Sequence, residues 1–180
     1  MTNDHRPATR MLSSLRRLDE VKGAVRVEDV YDTDIADLWS ALTDPRRLGR
    51  WIAIVEGDLR TGGHIQARFT STWSGAGRID ICEPPRHLLV TMEPGTADET
   101  VIEAVLSSVE AQTRLVIEQR GLLLADLPGR GAGWQAHAEE LAAYLSGRQP
   151  APWRERWADL IPAYAALGQP AEGSGGPGAR

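Results

Sequence analysis

The 180-residue chain contains one cysteine, one phenylalanine and one lysine, and each scarcity excludes something. With Cys82 alone, no intrachain disulfide and no cysteine metal cluster can form, and the residue reads as a small buried thiol. With Lys22 as the sole lysine, "GRGAG" at 129–133 lacks the lysine and hydroxyl of a phosphate-binding loop. The formal charge is −5, and there is no long basic run, which argues against nucleic acid as a partner. No run of about 18 apolar residues occurs, so no membrane partner is expected. The first twenty residues hold no unbroken apolar stretch of the secretory kind, and the expected localisation is cytoplasmic. The four histidines are scattered over positions 5, 64, 87 and 137. His137 with Glu140 gives only half of a zinc-protease motif, and it reads as a solvated helix flank. No serine stands in a G-x-S-x-G turn. Neither a metal nor a cofactor is expected.

Tryptophan, by contrast, is plentiful: six residues against that single Phe69. Two of the six stand in "LWSALTDPRRLGRWI" at 38–52. Each offers a broad apolar face with one donor, suited to a core or to a pocket wall. The surrounding pattern places them. "AVRVEDVYD" alternates, with Val25, Val27 and Tyr31 on one side of a strand. "TDIADLWSALTD" switches to helical period, putting Ile35, Leu38, Trp39 and Leu42 on one face with Thr33 placed to cap. Asp44-Pro45 stops that helix and starts another, which offers Leu48, Trp51 and Ile52 to the same interior.

From 53 to 121 the chain reads as a run of short strands in an antiparallel meander, making six or seven strands in all before the long helix. The last pair turns Ile102, Ala104, Leu106, Leu115, Ile117 and Gln119 inward. "LLLADLPGRGAG" reads as a flexible loop that gates a cavity. A long helix follows, its stripe of Trp134, Ala138, Leu141, Ala142 and Leu145 buried on the sheet and Gly147 ending it. Residues 1–20 form a flexible arm, frayed or a short amphipathic helix. Residues 21–147 form the domain. Residues 148–168 add a helical segment carrying Trp153, Trp157 and Tyr164, with Pro162 expected to break it. Residues 169–180 are expected to form a disordered Gly/Pro/Ser tail.

The order of elements, and the segments "DLWSALTDPRRLGRWI", "DLRTGGHIQARF", "GRIDICEPPRHLLVTME", "TRLVIEQRGL" and "GWQAHAEELAAYLSG", resemble the SRPBCC or START-like superfamily. More narrowly the chain is similar to the bacterial branch related to the C-terminal domain of the heat-shock-protein-90 ATPase activator. The resemblance covers roughly residues 24 to 147. It implies an α+β helix-grip fold, a curved antiparallel sheet wrapped around the long C-terminal helix, with two short helices after the first strand. It implies a cavity between sheet and helix that holds a hydrophobic or aromatic small molecule. Some relatives, such as polyketide aromatases and cyclases, do chemistry there. Relatives often end the last strand with histidine, where this chain has Gln119.

On that fold the candidate ligand-binding residues are Tyr31, Trp39, Trp51, Phe69, Trp73, Leu106, Ile117, Gln119, Trp134 and Leu141. Trp39 also reads as a core anchor, and Gln119 as either a polar anchor or a rim residue. Asp29 is the one catalytic candidate: alternation places it with Val25, Val27 and Tyr31, and a buried carboxylate suits acid–base work. The alternative for Asp29 is a bulge or an exposed strand end. Three functions stay open: a small-molecule-binding module, a cyclase or dehydratase-type enzyme in the same cavity, and a chaperone-linked or other protein-interaction module. An exposed face of Trp153, Trp157 and Tyr164 would favour the last, for instance as a homodimer.

Overall fold

The computed structural model describes residues 10–167. Strand β1 (Ser13–Arg17) leads into β2 (Lys22–Tyr31), and two short helices follow, α1 (Ile35–Thr43) and α2 (Pro45–Leu48). Then come β3 (Ala53–Gly57), β4 (His64–Phe69), β5 (Ser74–Glu83), β6 (His87–Met92), β7 (Thr100–Val109) and β8 (Gln112–Leu123). A single 3-10 turn (Leu124–Asp126) joins β8 to the long helix α3 (Leu127–Leu145), and α4 (Trp153–Leu167) closes the described chain.

The sheet holds eight strands, all paired antiparallel, in the order β1-β2-β8-β7-β6-β5-β4-β3. Register shifts at Gly23/Ala24 and between Ile79 and Ile81 mark irregularities of the kind that bend a sheet. α3 packs on it: Trp134, Ala138 and Leu141 share one buried cluster with Val25, Val27, Leu106, Leu115 and Ile117. This is the expected helix grip.

Local chemistry sets the entry helices. Asp34, not Thr33, caps α1: its carboxylate accepts the Asp37 N–H at 2.8 Å. Thr33 uses its hydroxyl to donate to the Asp37 carboxylate instead. Asp44 stops α1 and caps α2 through the Arg46 N–H at 2.9 Å, with Pro45 at the first helical position. The Trp51 indole donates to the Ala41 carbonyl at 3.0 Å, locking the two helices over the sheet.

Four local expectations are corrected. Residues 13–17 form an edge strand rather than a frayed or helical arm. The reason is tertiary: the buried Ser13 donates its N–H to the Tyr164 hydroxyl at 2.9 Å and its own hydroxyl to the Gly131 carbonyl. The sheet has eight strands rather than six or seven, because β1 joins it and β3 is a strand of its own. "GRGAG" is not a loop but the first turns of α3. A Cβ at Gly131 would meet Leu15 Cδ2 and Tyr164 Cδ1 at 2.8 Å, so the absent side chain is what lets β1 and α4 approach the helix. Pro162 lies inside a continuous α4. It faces solvent, where the carbonyl it leaves without an N–H is open to water. Leu160 and Tyr164 anchor the helix on Ala132 and Ala136 of α3. The tail expected at 169–180 lies outside the described residues.

Candidate functional site

Three segments converge at one end of α3: the β4–β5 hairpin with Phe69, Ser71 and Trp73, the first half of α3, and the start of α4. They enclose a cleft of ≈ 530 Å³. Aromatic rings run continuously along its wall. Phe69 tilts against Trp73 with centroids 5.3 Å apart, and the His137 ring lies 6.4 Å from Phe69, 6.1 Å from Trp134 and 5.3 Å from Trp153. Trp153 stacks on Trp157 at 5.9 Å. Such a surface has the shape and chemistry to bury a flat apolar molecule by ring contact.

A second, almost wholly apolar cavity of ≈ 140 Å³ lies deeper between sheet and α3, lined among others by Leu48, Trp51, Val55, Ile79, Cys82 and Met92. Phe69, Ile102 and Trp134 border both spaces. Cys82, expected to be a small buried residue, is half-buried. Burial pushes its thiol above its ordinary pKa, so it is a weak nucleophile.

Polar groups in the cleft are few and mostly paired. The Trp134 indole donates to Gln119 Oε1 at 2.9 Å, and Gln119 Nε2 donates to Thr100 Oγ1 at 3.2 Å. The Trp157 indole donates to the Gly129 carbonyl at 3.0 Å. The buried Trp153 Nε1 has no partner among the described residues. His137 Nδ1 lies 3.0 Å from Glu140 Oε2. Both residues are buried, at 6% and 8% exposure, which corrects the solvated flank expected for them. α4 is the cause: it covers the side of α3 that a lone helix would leave to water.

The sequence-derived candidates divide by place. Phe69, Trp73, Gln119 and Trp134 line the large cleft. Trp51 and Ile117 border the deep cavity. Tyr31, Leu141 and Asp29 meet at a gap of only ≈ 10 Å³. There burial, with the Asp29 charge adding, pushes the Tyr31 hydroxyl far above its ordinary pKa, and the hydroxyl donates to the Ala138 carbonyl. Asp29 does face inward, as alternation requires, but its carboxylate receives the Val30 N–H and Arg10 rather than the cleft. Trp39 and Leu106 are packed in the core and border none of these spaces. His137, Trp153 and Trp157 are cleft residues that sequence reasoning did not select. His137 follows Trp134 by three positions, the spacing that shares a helix face, and that signal was available.

The architecture is that of a helix-grip protein with its cavity between sheet and long helix. Within that class, residues 32–146 match the family described as activator of Hsp90 ATPase homolog 1-like protein, and the chain belongs to it. Among solved structures it is similar to CalU16 from Micromonospora echinospora, 27% identical with a TM-score of 0.73, covering 88% of this chain and 98% of that one. It is also similar to DynU16, a protein of the dynemicin biosynthetic locus, at 25% identity and a TM-score of 0.64. That match covers 71% of this chain, which spans 48% of the DynU16 chain. A Bordetella parapertussis protein encoded by gene BPP1335 shares the fold at 24% identity and a TM-score of 0.66, covering 88% and 93%. No curated protein matches the sequence significantly. Among the described residues no three His, Cys, Asp or Glu side chains group as a metal site, and no helix is long and apolar enough to cross a membrane.

Proposed function

We propose that this protein binds a hydrophobic, aromatic small molecule in the cleft between the β4–β5 hairpin, α3 and α4. The observation that carries this reading is the unbroken aromatic wall from Trp73 through Phe69 and His137 to Trp153 and Trp157 around ≈ 530 Å³ of space. Burying about 200 Å² of apolar ligand surface supplies roughly 5 kcal/mol before association costs, enough for micromolar affinity with modest polar help. The similarity to DynU16 supports a ligand drawn from secondary metabolism. A partner-binding role has less support, because Trp153, Trp157 and Tyr164 pack on α3 within the chain.

The test is native mass spectrometry of the purified protein after exposure to a metabolite extract of its host. A discrete added mass, lost in a Trp153→Ala variant, is the expected result. A mass that changes with time would make the protein a cyclase or dehydratase-type enzyme in the same cleft. A protein that stays bare in every extract would overturn the binding reading.

A further inference from the structure

The polar groups of the cleft specify more than an aromatic ligand. His137 Nδ1 lies 3.0 Å from Glu140 Oε2, and in the tautomer that donates to that oxygen Nε2 is left as the acceptor. Nε2 makes no hydrogen bond among the described residues, and His137 lines the cleft. Close by, Trp153 Nε1 is a buried donor without a partner. The cleft thus presents one acceptor backed by a carboxylate, with an unpartnered indole N–H buried beside it in the apolar wall.

The remaining charges there are unbalanced. Asp126 ends the turn before α3, Arg130 stands on α3, Arg154 stands on α4, and the β4–β5 hairpin contributes only Phe69, Ser71 and Trp73. Neither arginine forms an ion pair among the described residues, whereas most other arginines of the chain do. With Glu140 matched to His137, two arginines and one carboxylate remain at the partly solvated rim of the cleft, a small positive excess that favours an anionic guest.

We propose that the ligand of this cleft is an aromatic molecule with an acidic hydroxyl, a phenol or enol, held as its anion. This rests on the ligand-binding reading above. The ligand O–H bond breaks, its proton forms an N–H bond at His137 Nε2, and the electron pair remains on the oxygen. The oxyanion then lies against the imidazolium, which Glu140 holds in place. No oxidation or reduction is involved. A charge-assisted pair in a poorly hydrated site is stronger than its neutral counterpart, so the ionised form is selected.

The experiment uses the full chain with two probes of matched shape, 4-nitrophenol and its methyl ether 4-nitroanisole. It is run at a pH below the ionisation midpoint of free 4-nitrophenol. Bound 4-nitrophenol is expected to show its phenolate absorbance band, and 4-nitroanisole to bind about tenfold or more weakly. His137→Gln should abolish both the band and the preference, with 4-nitroanisole binding retained. Equal binding of the two probes, with no phenolate band, would overturn the proposal and leave the aromatic-binding reading standing. No binding of either probe would overturn both. Should His137→Gln fail to fold, the pH titration of the wild-type complex decides: a band persisting below the free probe's midpoint supports the proposal, and one that tracks the free probe overturns it.

Discussion

The Trp134 indole donates to Gln119 at 2.9 Å, and this bond ties α3 to the last strand at the boundary of both cavities. Gln119 is therefore a support for the cleft wall as well as part of its lining. Gln119→Leu keeps the volume but leaves a buried N–H unpaired. The expected loss is about 1–3 kcal/mol of unfolding free energy, read from urea midpoints at unchanged m-value.

Gly131→Val should destabilise the protein and loosen both β1 and α4. The new side chain would press on Leu15 and Tyr164, where a Cβ alone already lies 2.8 Å away. An overpacked site of this kind costs about 1–3 kcal/mol. Thermal unfolding measures the loss, and limited proteolysis between α3 and α4 shows where it falls.

Tyr164→Phe removes one oxygen and breaks two bonds. The hydroxyl donates to Gln135 Oε1 at 2.6 Å and accepts the Ser13 N–H at 2.9 Å. Amide exchange in β1 should quicken by one to two orders of magnitude, as expected for a buried hydrogen bond of about 1–3 kcal/mol.

Glu139 makes the docking of α4 sensitive to acid. Desolvation works to raise its pKa, but the paired bonds from Arg156 at 2.5 and 2.8 Å and the Gln135 amide win, and the carboxyl is held below its ordinary value. A group with a depressed folded pKa stabilises above its unfolded value, about 4.3, and loses that contribution as pH falls through the folded one. The urea midpoint should therefore drop below pH of about 4. The drop should be shallower in Arg156→Met, where the pair is gone. Equal slopes in the two proteins would count against the pair.

Trp153→Leu should weaken binding of 4-nitroanisole roughly two- to tenfold, the scale of one aromatic contact beyond its area. Trp39→Leu, a change in the core away from the cleft, should lower stability and leave the affinity of the folded protein unchanged. Isothermal titration with both variants separates the two roles.

Much of this architecture is readable in the residues because it follows from local rules. Alternation in "AVRVEDVYD" and the 3.6-residue spacing of Ile35, Leu38, Trp39 and Leu42 each define an element by themselves. The Asp44-Pro45 junction does the same through the backbone chemistry of a cap and a fixed φ. The last hairpin's inward set was equally plain, since a strand's two faces differ strictly in alternation.

What misled local reasoning were segments whose conformation depends on distant partners. Residues 13–17 spell neither helix nor strand strongly, and β2, Tyr164 and Gly131 decide between them. "GRGAG" has the composition of a loop, because glycine costs a lone helix about 1 kcal/mol each. Here the small residues let β1 and α4 pack against α3, and that burial outweighs the propensity.

The sequence by itself determined the order of elements, the grip of sheet on helix and the wealth of indole available to line a cavity. Only the tertiary structure decided which indoles do so. α4 folds back over the far side of α3, buries His137 against Glu140 and sets Trp153 and Trp157 opposite Phe69 and Trp73. Periodicity describes one element at a time, whereas a cleft is made where several elements meet, and its chemistry exists only once they have packed.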